Sequence, residues 1–180
     1  MSSTLEFPSR TVEPSDTQSG RESRSPVVAL AGNPNAGKTS IFNALTGLRQ
    51  KVANYPGVTV ERKEGVWTLA PDAPPARLID LPGLYSLDAA SLDEQIARDV
   101  LTGRMTGTPA PDVIVAVVDA TNLERNLYLV TQLLDTGRPV VVALSMFDLA
   151  ERAGLEIDAV KLGKSLGVTV VPVIAKQRRG

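Results

Sequence analysis

Cysteine and histidine are both missing from this 180-residue chain. Without thiols there are no disulfides, and without either residue there is no thiolate–imidazole zinc site. Histidine-based acid–base catalysis is excluded as well. Any metal must therefore be a hard cation held by oxygen ligands. An excess of charge of one sign is also lacking: 19 Lys and Arg against 20 Asp and Glu leave a formal net charge of −1. That balance gives no electrostatic footprint for nucleic acid or for an anionic membrane. No apolar run approaches the roughly 18 residues that span a bilayer. What is present is enough apolar sequence, 43% of the residues, for the core of a single domain. The composition is that of a soluble chain compatible with the cytosol.

Residues 1–25 differ from the rest, with Ser, Thr, Pro, Arg and Glu dominant and only Leu5, Phe7 and Val12 as scattered apolar positions. Such a segment cannot offset its ordering entropy by burial and is expected to be a disordered lead-in. Glu6, Glu13, Asp16 and Glu22 argue against a transit peptide, and a secretory hydrophobic stretch is absent. From residue 26 onward the pattern alternates strands (27–31, 65–69, 76–79, 113–118, 140–144 and 168–173) with helices (38–46, 93–101, 123–136 and 158–166). The continuous apolar runs 113–118 and 140–144 predict parallel strands buried on both faces. The stretch 65–80, broken by Pro71, Pro74 and Pro75, predicts a hairpin with a loose turn. The expected fold is α/β: a mostly parallel, six-stranded sheet with one antiparallel edge strand and helices on both faces.

One segment carries the chemistry. Gly32-Asn33-Pro34-Asn35-Ala36-Gly37-Lys38-Thr39-Ser40 fits G-x-x-x-x-G-K-[ST], the phosphate-binding loop of nucleoside triphosphatases. An apolar, β-leaning run leads into it, and Ile41, Phe42, Ala44, Leu45 and Leu48 lead out at helical spacing. Glycines let the backbone wrap so that N–H groups converge on the α- and β-phosphates, above the positive end of a helix dipole. Lys38 would reach the β- and γ-phosphates, and the Thr39 hydroxyl would ligate Mg²⁺.

Downstream, Asp80-Leu81-Pro82-Gly83 follows a strand end, where ligand-facing loops of open α/β sheets lie. Asp80 is suited to hold Mg²⁺ and the Gly83 N–H to sense the γ-phosphate. Between the two motifs, Gly57, Val58 and Thr59 sit in a Gly/Pro loop. A threonine there can offer its hydroxyl to Mg²⁺ only while the γ-phosphate is present, which makes the segment a switch.

The combination GNPNAGKTSIFNALTG, NYPGVTVERKEG, DLPGLYSL and SLDEQIARDVL resembles the N-terminal cytosolic G domain of FeoB-type ferrous-iron transporters, from about Val27 to the end of the chain. The resemblance implies a Ras-like P-loop GTPase domain at residues 26–180, followed in relatives by a helical regulatory domain and a polytopic membrane region. Neither is in this sequence, which therefore reads as an N-terminal piece working at the cytoplasmic face of the bacterial inner membrane. Relatives read guanine with N-x-x-D. Asp148 matches and can accept from the guanine N1–H and N2–H₂ edge. Ser145 stands where asparagine is usual, with Met146 beside it, and fewer base-side hydrogen bonds imply weaker GTP and GDP binding. The last base-side loop corresponds to Ile174, Ala175 and Lys176, without its usual serine.

The residue after Gly83 is Leu84, where Ras-type enzymes orient water with glutamine, so slow intrinsic hydrolysis is expected. The family also implies a K⁺ beside the phosphates, with Asn33 as its ligand and backbone carbonyls near Asn54 and Tyr55 completing the cage. The catalytic set expected is thus Lys38, Asn33, Thr59 and Gly83. Ras-like folds close with a helix after the last strand, and the sequence stops at Lys176–Gly180, where that helix would begin. The sheet face left bare leaves room for a homo-oligomer with exchanged elements. Two other readings share the motifs: a guanine-nucleotide sensor with negligible turnover, and a GTPase of ribosome assembly or tRNA modification. The near-neutral charge speaks against the RNA-acting class and for no nucleic-acid partner.

Overall fold

Every position of the first strand, Val27–Gly32 (β1), is buried, as a strand covered on both faces requires. It lies near the centre of the sheet in a computed structural model that describes residues 24–68, 70, 73–88 and 90–180. The other strands are Gln50–Asn54 (β2), Glu61–Trp67 (β3), Ala76–Asp80 (β4), Val113–Asp119 (β5), Val140–Ser145 (β6) and Thr169–Pro172 (β7). The helices are Lys38–Thr46 (α1), Leu92–Thr102 (α2), Leu123–Asp135 (α3), Phe147–Arg152 (α4) and Ala159–Leu166 (α5). The sheet order is β2-β3-β4-β1-β5-β6-β7. Strands β4, β1, β5, β6 and β7 run parallel, and β2, β3 and β4 are successively antiparallel.

The mostly parallel sheet with an antiparallel edge is as expected, but it has seven strands where the sequence suggested six. The added one is β2. All five of its residues are exposed, so no burial pattern marks it, and the ladder to β3 defines it. The 65–80 hairpin forms as β3 and β4, although Pro71 and Asp72 of its turn lie outside the described residues, as does the lead-in at residues 1–23. Helix α4, at six residues, is too short to leave a helical period in the sequence.

Alternation along the strands divides the core into two layers. Val28, Leu30, Leu78, Val117 and Ala143 face α1 and pack with its Ile41 and Phe42. Ala29, Ala31, Ile79, Ile114, Ala116, Val118 and Leu144 face the other way, toward Ile96 and Val100 of α2 and Leu129 and Leu133 of α3. Helix α2 starts with a reciprocal capping box between Ser91 and Glu94. After β7 the described residues form one 3₁₀ turn, Ala175–Gln177.

At the end of the sheet away from the motifs, Asp112 accepts from the Val27 N–H at 2.8 Å and pairs with Arg24 at 2.6 Å. The Val27 hydrogen bond, ahead of Arg24, holds its carboxyl below the ordinary range. A depressed acid contributes stability above its unfolded-state pKa and loses it as pH falls through the folded value. Asp112→Ala should therefore lower the melting midpoint by about 2–4 °C at pH 7, a figure already discounted for solvent screening. The difference from the parent should shrink toward zero as the pH drops below the carboxylate range, as pH-dependent thermal melts would show.

Candidate nucleotide site

The phosphate loop joins β1 to α1, and its backbone shape explains its composition. Asn35 has φ 63° and Gly37 φ 88°, so the chain enters the left-handed region twice, where Asn and Gly are the tolerant residues. A Cβ on Gly32 would strike the Val117 carbonyl of β5. Gly37 is the N-cap of α1 and supplies no side-chain cap, and the first turn has no acidic residue. The first-turn N–H groups are thus left for an external acceptor at the positive end of the helix.

Lys38 is buried and donates to the Gly32 and Asn33 carbonyls, both at 3.1 Å. Burial pushes its pKa down against the opposing charge of Asp80. Thr39 Oγ1 lies 3.1 Å from Asp80 Oδ2, while the buried Asp80 Oδ1 has no partner. Burial likewise pushes the Asp80 carboxyl up, with Lys38 and then Thr39 opposing. A hydroxyl and a carboxylate with a free buried oxygen, set beside an ammonium, fit a hard divalent cation next to a phosphate. Gly83 closes on the same loop: a Cβ there would come within 2.9–3.1 Å of Pro34.

Two cavities flank the loop. One, of about 270 Å³, is lined by Lys38, Thr39, Asp80 and Gly83, joined by Glu61, Lys63 and Asp93. The other, of about 370 Å³, is lined by Gly37, Ser40, Ser145, Met146, Asp148, Ile174, Ala175 and Lys176, joined by Leu149, Arg152 and Gln177. Of the site residues expected from the sequence, Lys38, Thr39, Asp80 and Gly83 therefore share one cavity, and Gly37, Ser40, Ser145, Met146, Asp148, Ile174, Ala175 and Lys176 share the other. Lys63 and Arg152 were not anticipated. Lys63 pairs with Asp80 across the β3–β4 ladder, and Arg152 lies one helical turn beyond Asp148, a spacing that could have flagged it.

Four placements bear on the sequence reading. Thr59 is exposed and lines neither cavity; it sits in a turn closed by Tyr55 N–H to Val60 O at 3.0 Å. Gly57 and Val58 share that turn, with Val58 packed on the core. Ser145 is buried and shares its one hydroxyl proton between the Ala36 carbonyl and, at 3.2 Å, Val118 O; it braces the phosphate loop against β6 as well as lining the cavity that holds Asp148. Leu84 is fully buried, so that position is packed away from any attacking water. Asn33 is buried, its Nδ2 3.4 Å from Arg125 O and its Oδ1 unpartnered.

A phosphate cradle at the carboxyl ends of parallel strands, with a base-sized cavity on its flank, makes the molecule a P-loop nucleotide-binding domain. Comparison with known proteins narrows this class. The family described as Ferrous iron transport protein B matches residues 26–180, and the chain belongs to that family. It is 50% identical over 158 residues to the Fe(2+) transporter FeoB of Salmonella typhimurium and 48% identical to that of Escherichia coli strain K12, covering 85% of this chain in each case. It spans only 19% of the length of those relatives. The G domain of the T. maritima FeoB iron transporter superposes with a TM-score of 0.78 at 46% identity, over 87% of this chain and 92% of that one. The cytosolic domain of the same transporter, solved in GDP and GMPPNP forms, gives 0.80 and 0.79 at 46% identity, over 87% and 86% of this chain and 59% of the other in both. Among the described residues no helix is long and apolar enough to cross a membrane.

Proposed function

We propose that this chain binds GTP and GDP, hydrolyses GTP slowly with K⁺ stimulation, and acts as the regulatory switch of a ferrous-iron transporter. The membrane-embedded part of that transporter is its partner, at the cytoplasmic face of the bacterial inner membrane. The carrying observation is the linked set of Lys38, Thr39 and Asp80 beneath uncapped helix N–H groups. Lys38 is held by loop carbonyls inside the cradle, so a phosphate oxygen entering there meets a pre-positioned ammonium. Thr39 and Asp80 would hold Mg²⁺ and Asn33 would offer its free amide oxygen to K⁺; bound there, both cations would supply positive charge against the negative charge on the phosphate oxygens. Gly83, packed against Pro34, would offer its N–H to the γ-phosphate, and Thr59 would join only after its loop moves inward. The nucleotide forms of the T. maritima relative and the near-neutral charge balance support guanine nucleotide, not nucleic acid, as the ligand.

GTP turnover in matched K⁺ and Na⁺ buffers tests the reading. Turnover should be several-fold faster in K⁺, and Asn33→Ala should remove the difference while leaving GDP affinity within about tenfold, because a single neutral contact is worth about 0.5–1.5 kcal/mol. The buried Leu84 favours a second reading, a nucleotide sensor with negligible turnover; equal slow rates in both salts would select it.

On the base side, Ser145→Asn should tighten GDP binding by roughly tenfold, one or two recovered hydrogen bonds. Titration calorimetry checks this, and an unchanged affinity would mean that the serine's bracing of Ala36 is all the position requires.

A further inference from the structure

Helix α3 presents Arg125, Tyr128 and Gln132 at successive turns of one face, and that face grips the segment after Gly83. The Arg125 guanidinium lies 4.6 Å from the centre of the Tyr85 ring. Gln132 Oε1 accepts the Leu87 N–H at 2.8 Å, and its Nε2 is 3.3 Å from the Tyr128 hydroxyl. From the opposite side Glu94 accepts the Tyr85 N–H at 3.3 Å, and the Leu84 N–H reaches Gly32 O at 3.2 Å. The main chain of Arg125 meanwhile touches the phosphate loop through the Asn33 amide at 3.4 Å. A carbonyl only accepts, so the amide nitrogen must face it, and the amide oxygen is turned away, buried and unpartnered.

We propose that Arg125 is a positioning residue: its side chain clamps Tyr85 while its carbonyl sets the amide of Asn33, so one residue of α3 registers the phosphate loop against the segment 84–88. Neither Arg125 nor Tyr85 lines either cavity. The effect is to fix which way the Asn33 amide is turned at the same time as it fixes the chain leaving Gly83. The kinetic consequence rests on the GTPase reading given above; the structural coupling does not.

Hydrogen exchange on the full chain separates the two. A cation–π contact at a partly exposed site corresponds to a factor of about two to five, so Arg125→Ala and Tyr85→Ala should each speed exchange of the Leu84–Asp88 amides by that factor. The double variant should be no faster than either single one. Arg125→Lys and Tyr85→Phe keep a cation over a ring and should stay near the parent rate. In turnover assays the alanine variants should lower kcat with KM for GTP unchanged and raise the K⁺ concentration needed for half-stimulation. If Arg125→Ala fails to fold, Tyr85→Ala, at a residue that is 42% exposed, reports the same contact. Parent-like exchange in Tyr85→Ala, or effects that add in the double variant, would overturn the proposal. If the parent itself lacks K⁺-dependent turnover, the K⁺-stimulated GTPase reading fails while exchange still decides the coupling.

Discussion

Lys38→Ala should weaken GTP and GDP binding by about a hundredfold or more while the domain stays folded. In the structure the ammonium is buried and bonded to the two loop carbonyls that begin the cradle. Phosphate oxygens would compete for the same donor, and a hydrogen bond to a charged group contributes about 1.5–3 kcal/mol. Two such bonds correspond to about two to four decades of affinity. The fold should survive because Lys38 is not part of either apolar layer. Fluorescent-nucleotide titration, with a thermal melt as control, checks both halves. A loss smaller than about tenfold would mean that the backbone N–H groups alone hold the phosphates.

Asp148→Asn should be nearly as damaging, and selectively so for guanine. Asp148 lines the base-side cavity with Ser145, Ala175 and Lys176. A carboxylate there accepts from both guanine N1–H and N2–H₂, whereas an amide turns one acceptor into a donor that faces a donor. Losing one charge-assisted bond and leaving the other group unpaired should cost about 3–5 kcal/mol, two to four decades in Kd. Xanthine nucleotides, which carry a carbonyl at position 2, should bind the variant better than guanine nucleotides do. Competition binding with GDP, XDP and ADP measures this. If GDP affinity falls less than fivefold, the base lies elsewhere in the cavity.

How much of this was legible in the residues depends on where the physical demand is local. The phosphate loop was, because left-handed backbone at Asn35 and Gly37 is a demand of a single stretch of chain. The Asp80–Gly83 turn was, because it follows a buried strand at the end where ligands sit. Long-range features were not. Strand β2 exists through its ladder to β3 and has no buried face to announce it. Ser145 looked like a poorer base reader, yet its hydroxyl also ties Ala36 to Val118, two partners far away in sequence. Lys63 reaches the cavity of Lys38 and Asp80 through cross-strand register with Asp80, and Arg125 meets Tyr85 from a helix 40 residues further along the chain. Thr59 was named for a role that its exposed position requires the loop to move to fulfil.

The most direct test of the account is single-turnover GTP hydrolysis by the intact chain with Mg²⁺, in matched K⁺ and Na⁺ buffers. The account predicts slow hydrolysis that rises several-fold in K⁺ and no longer responds to it in Asn33→Ala. Fast hydrolysis indifferent to the monovalent cation would contradict it, because neither the packed-away Leu84 nor an unaided Asn33 could then explain the rate.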